Sequence, residues 1–198
     1  MAVREIVEIG HPALRTRARE IEPAEIGSAE VEALIDDLIE TKRAADGAGI
    51  AANQVGVPLR VAIAEVEGQN PRYPYKPPIP LTVMINPVIE PLGEETADIT
   101  EGCLSVPGLR GTLARHMAVR VTYLDRQGRE RSERKRGLTA GTFQHEVDHL
   151  DGVLMLDRAE RDQRKAALRA LREGETYAPE RDGEETAANG DDPASAPE

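Results

Sequence analysis

Tryptophan is missing from this 198-residue chain, and phenylalanine and cysteine occur once each. With so few large rings the core must be aliphatic, built from Val, Ile, Leu and Ala. No apolar run reaches the ~18 residues that a membrane-spanning helix requires. The start of the chain, Met1 to Gly10, carries Arg4, Glu5 and Glu8 and no apolar stretch. A secretory signal is therefore not expected, and a cytoplasmic location is. The single cysteine, Cys103, excludes an intramolecular disulfide. It is left as buried filler, a nucleophile or a metal ligand.

Negative charge is plentiful but badly distributed. The formal net charge is −11, and residues 173–198 hold nine acids against one base, Arg181. That stretch alone carries −8, so the acidity belongs mainly to a tail. The tail is rich in Gly, Pro, Ala and acids without apolar periodicity, which predicts disorder. Residues 1–172 are then expected to be one catalytic domain.

Within that domain, Ser28 is placed to cap a helix whose Val31, Leu34, Ile35, Leu38 and Ile39 repeat with helical spacing. The helix should stop near Asp46–Gly47. Residues 59–66, 81–90, 117–125 and 129–135 read as strands. Asn70 to Pro80 contains five prolines and must be a loop. A second helix is expected from Thr139 to Leu150, stopped by Gly152, and a third from Arg158 to Arg172. Strands mixed with a few helices, without regular alternation, predict an α+β fold.

The sharpest local signal is His145-Glu146-Val147-Asp148-His149. On a helix, residues four apart share a face, so both imidazoles can reach one ion. Glu146 can then serve as general base toward a water in an open coordination position. Phe143, Val147, Leu150 and Leu154 would bury such a helix, and burying two histidines and a carboxylate needs compensation. The competing interpretation is two histidines on a polar face. A catalytic site needs a third ligand. Glu173 is one candidate, at the edge of the expected disorder. Cys103 is the better one, in the glycine-containing stretch Glu101-Gly102-Cys103-Leu104-Ser105, because a thiolate suits borderline ions.

Taken with Gly47-Ala48-Gly49-Ile50-Ala51-Ala52-Asn53-Gln54, these blocks make the sequence resemble a peptide deformylase. The first block is similar to that family's glycine–alanine–glutamine motif, the second to its cysteine motif, and Gln144 to Gly152 to its metal helix. All three occur in the family's order. The resemblance implies mixed and antiparallel sheets around a central metal-binding helix. It also implies removal of the formyl group from the N-terminal formyl-methionine of new polypeptides. Cys103, His145 and His149 would bind the metal, with iron(II) the working ion and zinc, nickel or cobalt able to substitute. The nucleophile would be metal-bound water, with Glu146 moving the proton and Gln54 and the Leu104 backbone N–H as oxyanion donors. Gly49 would pair with an extended peptide, and Arg110 would lie near it.

Glu101 and Asp148 would orient the ligands rather than bind metal. Ala48, Ile99, Leu138, Gly141 and Thr142 would surround the methionine side chain. Family members usually carry larger side chains at the last two of these positions, so a wider methionine pocket is expected. His11 and His116 are read as structural or exposed. Residues 158–172 carry six bases against two acids, a net +4, either a solvated face or a contact for ribosomal RNA. Two other functions stay open: a peptidase that uses Glu173 and leaves Cys103 structural, and a noncatalytic metal binder.

Overall fold

In the computed structural model, which describes residues 2–68 and 70–179, Ser28 caps the first helix, α1 (Ala29–Ala44). Its Oγ accepts from the Val31 amide at 3.3 Å. Glu30 and Glu32 lie in the first turn and Lys42 and Arg43 in the last, each at the end that the helix dipole favours. The expected apolar stripe is buried. At the C-terminus the left-handed position falls to Asp46, at φ 51°, rather than to Gly47. Gly47 is required for space instead, since a Cβ there would come within 2.9 Å of Leu104 Cδ1.

The strands are β1 (Gly49–Ala51), β2 (Val61–Val66), β3 (Ile79–Pro91), β4 (Thr96–Cys103), β5 (Val106–His116), β6 (Ala118–Leu124) and β7 (Glu130–Arg136). Five of them form an antiparallel sheet in the order β1-β2-β3-β6-β7, and β4 pairs with β5 in a separate hairpin. The expected strands correspond to β2, β3, β6 and β7. The hairpin and β1 were not expected. The next helix, α2 (Gly137–Leu150), touches every strand of the larger sheet and also β5. It is the central helix of the α+β fold.

β2 shows how the helix comes to sit there. Ala62, Ala64 and Val66 join Phe143 and Leu150 of α2 in one core cluster. Val61 and Ile63 join Leu34, Ile35 and Leu38 of α1 in another. A strand buried on both faces has no polar alternation, and alanines on one of them let α2 approach closely. The core is mainly aliphatic, as expected; its rings are Tyr73, Tyr123 and Phe143, the last the largest fully buried side chain.

The expected third helix is divided. A short turn, α3 (Met155–Arg158), precedes α4 (Arg161–Glu173). Arg158 leaves the basic helix and turns to Asp148, with Nε 2.6 Å from Oδ2. Ala167 and Ala170 of α4 pack on Leu109 and Leu113 of β5. Part of the segment expected as tail is described: Tyr177 runs parallel to Leu109, its carbonyl accepting from the Arg110 N–H at 2.7 Å. Residues 180–198, with most of the tail's acids, lie outside the described residues.

One ion cluster ties α1 to β2. Glu65 accepts from Lys42 Nζ at 2.7 Å and from Arg43 Nη2 at 2.8 Å, with Lys42 and Glu65 both buried. Hydrogen bonding to Arg43 lowers the Glu65 carboxyl to about 2, against the opposing effect of burial. A carboxyl whose folded pKa is depressed contributes stability above its unfolded value, and this is lost as pH falls toward the folded one. Glu65→Gln should therefore lower unfolding free energy at neutral pH by about 3 kcal/mol, because Lys42 loses its counter-charge. Urea unfolding between pH 5 and 2 should give a flatter stability profile for the variant. Parallel profiles would contradict the assignment.

Candidate metal centre

Three segments meet at the site. α2 carries His145, Glu146 and His149, the end of β4 carries Cys103, and the turn Ala52–Val55 after β1 carries Gln54. The four-residue spacing puts both imidazoles on one face, with ring centroids 4.9 Å apart. Cys103 Sγ lies 3.1 Å from His149 Nε2. The ligand atoms of Cys103, His145 and His149 all fall within 4.8 Å of one another. Among the described residues no fourth protein donor joins them. Glu173 ends α4, 3.7 Å from Arg169, outside the group. A thiol and two imidazoles turned on one buried point fit a divalent ion with an open coordination position.

Behind the donors lies a charged network. Arg115 donates to both Glu101 oxygens, at 2.8 and 2.9 Å, and to Asp148 at 2.5 Å. Glu101 Oε2 lies 2.8 Å from His145 Nδ1. Burial alone would raise the Glu101 carboxyl, but hydrogen bonds from Arg115 and His145 hold it well below the usual range. An ionised carboxylate only accepts, so Nδ1–H is the donor and Nε2 is left for the cluster. At His145 burial opposes a charged ring, but Cys103 and Glu101 outweigh it and hold the pKa well above its ordinary value. Burial and the neighbouring His145 hold His149 well below.

Glu146 is 3% exposed, and its Oε2 has no partner among the described residues. Burial pushes its carboxyl up to about 7. A Cβ on residue 49 would overlap this carboxylate, so β1 can pass it only as glycine. Gln54 is held by the Ala51 N–H, 2.9 Å from its Oε1. Its Nε2 thereby faces Ser105 Oγ at 3.1 Å and Cys103 Sγ at 3.8 Å. Leu104 follows Cys103 in the β4–β5 turn. Gly49, Gln54, Cys103, Leu104, His145 and Glu146 border one cavity of about 30 Å³.

The expected methionine wall is assembled in part. Ala48 and Thr142 border the same cavity. Ile99 lies against Gly141, its Cδ1 3.0 Å from where a Cβ would stand, and Leu138 offers its carbonyl to Thr142. Ile99 lies in the space beside Gly141, and Tyr73 and Lys76 line the cavity together with Ala48. Arg110 lines a separate cavity of about 330 Å³ with Arg72 and Tyr177. His11 caps a turn through Nδ1, whereas His116 Nδ1 is buried without a partner among the described residues.

Sequence reasoning missed Arg115, Tyr73, Lys76 and Ser105. Arg115 had a usable signal, since Leu109, Gly111, Leu113 and Arg115 alternate on the buried face of β5. Tyr73 and Lys76 sit in the proline-rich loop, where no periodicity exists to be read.

A buried carboxylate beside one cysteine and two helix-borne histidines, in this α+β frame, defines a metal-dependent hydrolase. The model of the polypeptide deformylase family matches residues 3–165. Peptide deformylase 1 of Prochlorococcus marinus is 47% identical over 80% of this chain and 81% of its own length. The Met-Ala-Ser-bound class I type b peptide deformylase of Acinetobacter baumannii superposes with a TM-score of 0.76. It is 38% identical, with 79% of this chain and 98% of that one covered. The actinonin complex of the Ehrlichia chaffeensis enzyme has a TM-score of 0.77 at 32% identity, covering 88% and 99%. The chain belongs to the polypeptide deformylase family. Family and donor cluster together support a single metal ion. No helix among the described residues is long and apolar enough to cross a membrane.

Arg115→Met should leave Glu101 and Asp148 facing each other without a shared counter-charge, at about 3–5 kcal/mol of stability. Zinc affinity, measured by chelator competition, should fall roughly 10–100-fold as His145 loses its fixed orientation. Unchanged affinity would mean that Glu101 orients the ligand unaided.

Proposed function

We propose that the chain hydrolyses the formyl group from the N-terminal formyl-methionine of newly synthesised polypeptides and releases formate. Cys103, His145 and His149 are the ligands in this reading, and residues 1–172 are the catalytic domain. The observation that carries it is the convergence of those ligand atoms within 4.8 Å beside the unpartnered Glu146 carboxylate. The similar Acinetobacter baumannii structure holds Met-Ala-Ser, a peptide with the free N-terminal methionine that such a reaction would release.

When bound, the ion supplies Lewis acidity, lowering the pKa of a water and polarising the formyl carbonyl. Iron(II) is the proposed working ion, with zinc, nickel or cobalt able to replace it. Glu146 takes the proton of the attacking water and passes it to the departing amine nitrogen as the C–N bond breaks. Gln54 Nε2, held between Ser105 Oγ and Cys103 Sγ, stands at the cluster to donate to the developing oxyanion, with the Leu104 N–H as the second donor. β1 is an edge strand, so its unpaired side at Gly49 can accept an extended peptide whatever its sequence. Ala48, Ile99, Leu138, Gly141 and Thr142 surround the methionine side chain, and Arg110 lies further along the peptide.

The setting is the cytoplasm, with formyl-methionyl nascent peptides as substrate. α4 exposes Arg161, Lys165, Arg169 and Arg172, a face suited to ribosomal RNA. The acidic residues that follow Tyr177 would compete with the RNA for these charges.

Formate release from formyl-Met-Ala-Ser under anaerobic conditions, with metal analysis of the same sample, tests the reading. Cys103→Ser should lose bound metal and activity together. Glu146→Ala should keep its metal and lose turnover by about 10²–10⁴-fold. Gln54→Ala should lose roughly 10²–10³-fold in kcat. A Cys103→Ser protein with intact metal and activity would rule out the ligand set. Reversing Arg161, Lys165 and Arg169 to Glu should weaken ribosome binding and flatten its dependence on salt, the log–log slope falling by about 0.7–0.9 for each phosphate no longer neutralised. Equal binding at every salt concentration would remove α4 from that role.

A further inference from the structure

The loop between β2 and β3 brings a cation to the wall expected around the methionine side chain. Lys76 Nζ donates to Thr142 Oγ1 at 2.7 Å. Thr142 in turn donates its hydroxyl to the Leu138 carbonyl at 3.2 Å. The one hydroxyl proton is thus committed to α2, and the oxygen's lone pair to the ammonium. What this pair can still offer is a donor, because an ammonium has N–H bonds to spare and no lone pair. Lys76 makes no ion pair within 4.0 Å among the described residues. It lies over the Tyr73 ring, 5.2 Å from its centroid, and both side chains border the cavity that touches His145 and Glu146.

We propose that Lys76 is a specificity-determining residue that supplies a hydrogen-bond donor to the pocket for the substrate's first side chain. The pocket then favours a side chain of methionine's length ending in a strong acceptor, of which methionine sulfoxide is the natural case. This inference rests on the deformylase reading. A thioether sulfur accepts weakly, while a sulfoxide is polar and presents an oxygen. Norleucine has no acceptor and would cover the ammonium without replacing the water it displaces.

The holoenzyme is assayed with formyl-methionine-sulfoxide-Ala-Ser and formyl-norleucyl-Ala-Ser, and binding of both deformylated peptides is measured by calorimetry. In the wild type, kcat/KM for the sulfoxide should exceed that for norleucine by about tenfold or more. Lys76→Met should bring the ratio to about one or lower, whereas Lys76→Arg, which keeps a charged donor, should retain most of it. The Kd ratio of the deformylated peptides should move in the same direction. An unchanged ratio in Lys76→Met, or a wild-type preference for norleucine, overturns the proposal. If no formyl peptide is cleaved, the deformylase reading fails, while the Kd ratios still decide the part played by Lys76.

Discussion

Two carboxylates, two guanidinium groups and an imidazole share the space beneath the metal centre. Arg115 on β5 grips Glu101 on β4 and Asp148 on α2, Arg158 on α3 closes on Asp148 from the other side, and Glu101 holds His145. Each charge would be costly to bury alone, and the removal of any one leaves its neighbour uncompensated. Arg115, Glu101 and Asp148 are buried together, and Arg158 reaches Asp148 from a half-exposed position. The network also joins elements distant in sequence. The hairpin has no backbone pairing to the larger sheet, so this network seats it on α2, while Val106 and Leu113 pack with Met155 and Leu156 of α3 and Ala167 and Ala170 of α4.

The geometry of the donors follows from that seat. On β4, Glu101 and Cys103 are two residues apart and therefore project to the same side of the strand. One strand face thus delivers both the carboxylate that orients His145 and the thiol that stands beside His149. On α2, His145, Asp148 and His149 fall at i, i+3 and i+4, one side of the helix. Two periodicities, 2.0 and 3.6, meet with Arg115 between them. The opposite approach, from β1, is limited by volume rather than charge. Gly49 passes Glu146 with no room for a Cβ, so whatever pairs with that edge comes close to the carboxylate.

Much of this was legible in the sequence where structure is periodic. The stripe of α1, the histidine pair of α2 and the alternation of β6 announce themselves by spacing, while β2 and β3 show as short apolar runs and β7 follows from the turn at Gln127–Gly128. The β4–β5 hairpin does not, because glycines at 102, 108 and 111 break the apolar alternation and the buried partner in that alternation is an arginine. A residue that reads as surface is inside because its charge is spent on two carboxylates from other parts of the chain. The break before α4 has the same origin: Arg158 continues a basic helical pattern, but Asp148 draws it inward. Local propensity lost to a long-range ion pair in both places.

The proline-rich stretch between β2 and β3 was legible only as a loop, yet it shapes the pocket. Asn70 organises it, with Oδ1 accepting from the Arg72 and Tyr73 amides at 2.9 and 3.0 Å. Its Nδ2 reaches the Asp46 carbonyl at 3.3 Å. That bond ties the loop to the end of α1, immediately before Gly47-Ala48-Gly49. The segment that lines the cavity with small residues is therefore attached to the segment that brings Tyr73 and Lys76 into it. Prolines at 71, 74, 77 and 78 restrict the loop before folding, so ordering it costs less entropy, and Pro80 already lies in β3. Small side chains at 48 and 141 and a stiff loop are complementary parts of one packing solution. The reaction is written in the motifs shared across the family, but the polarity of the pocket wall is written in a loop that no motif describes.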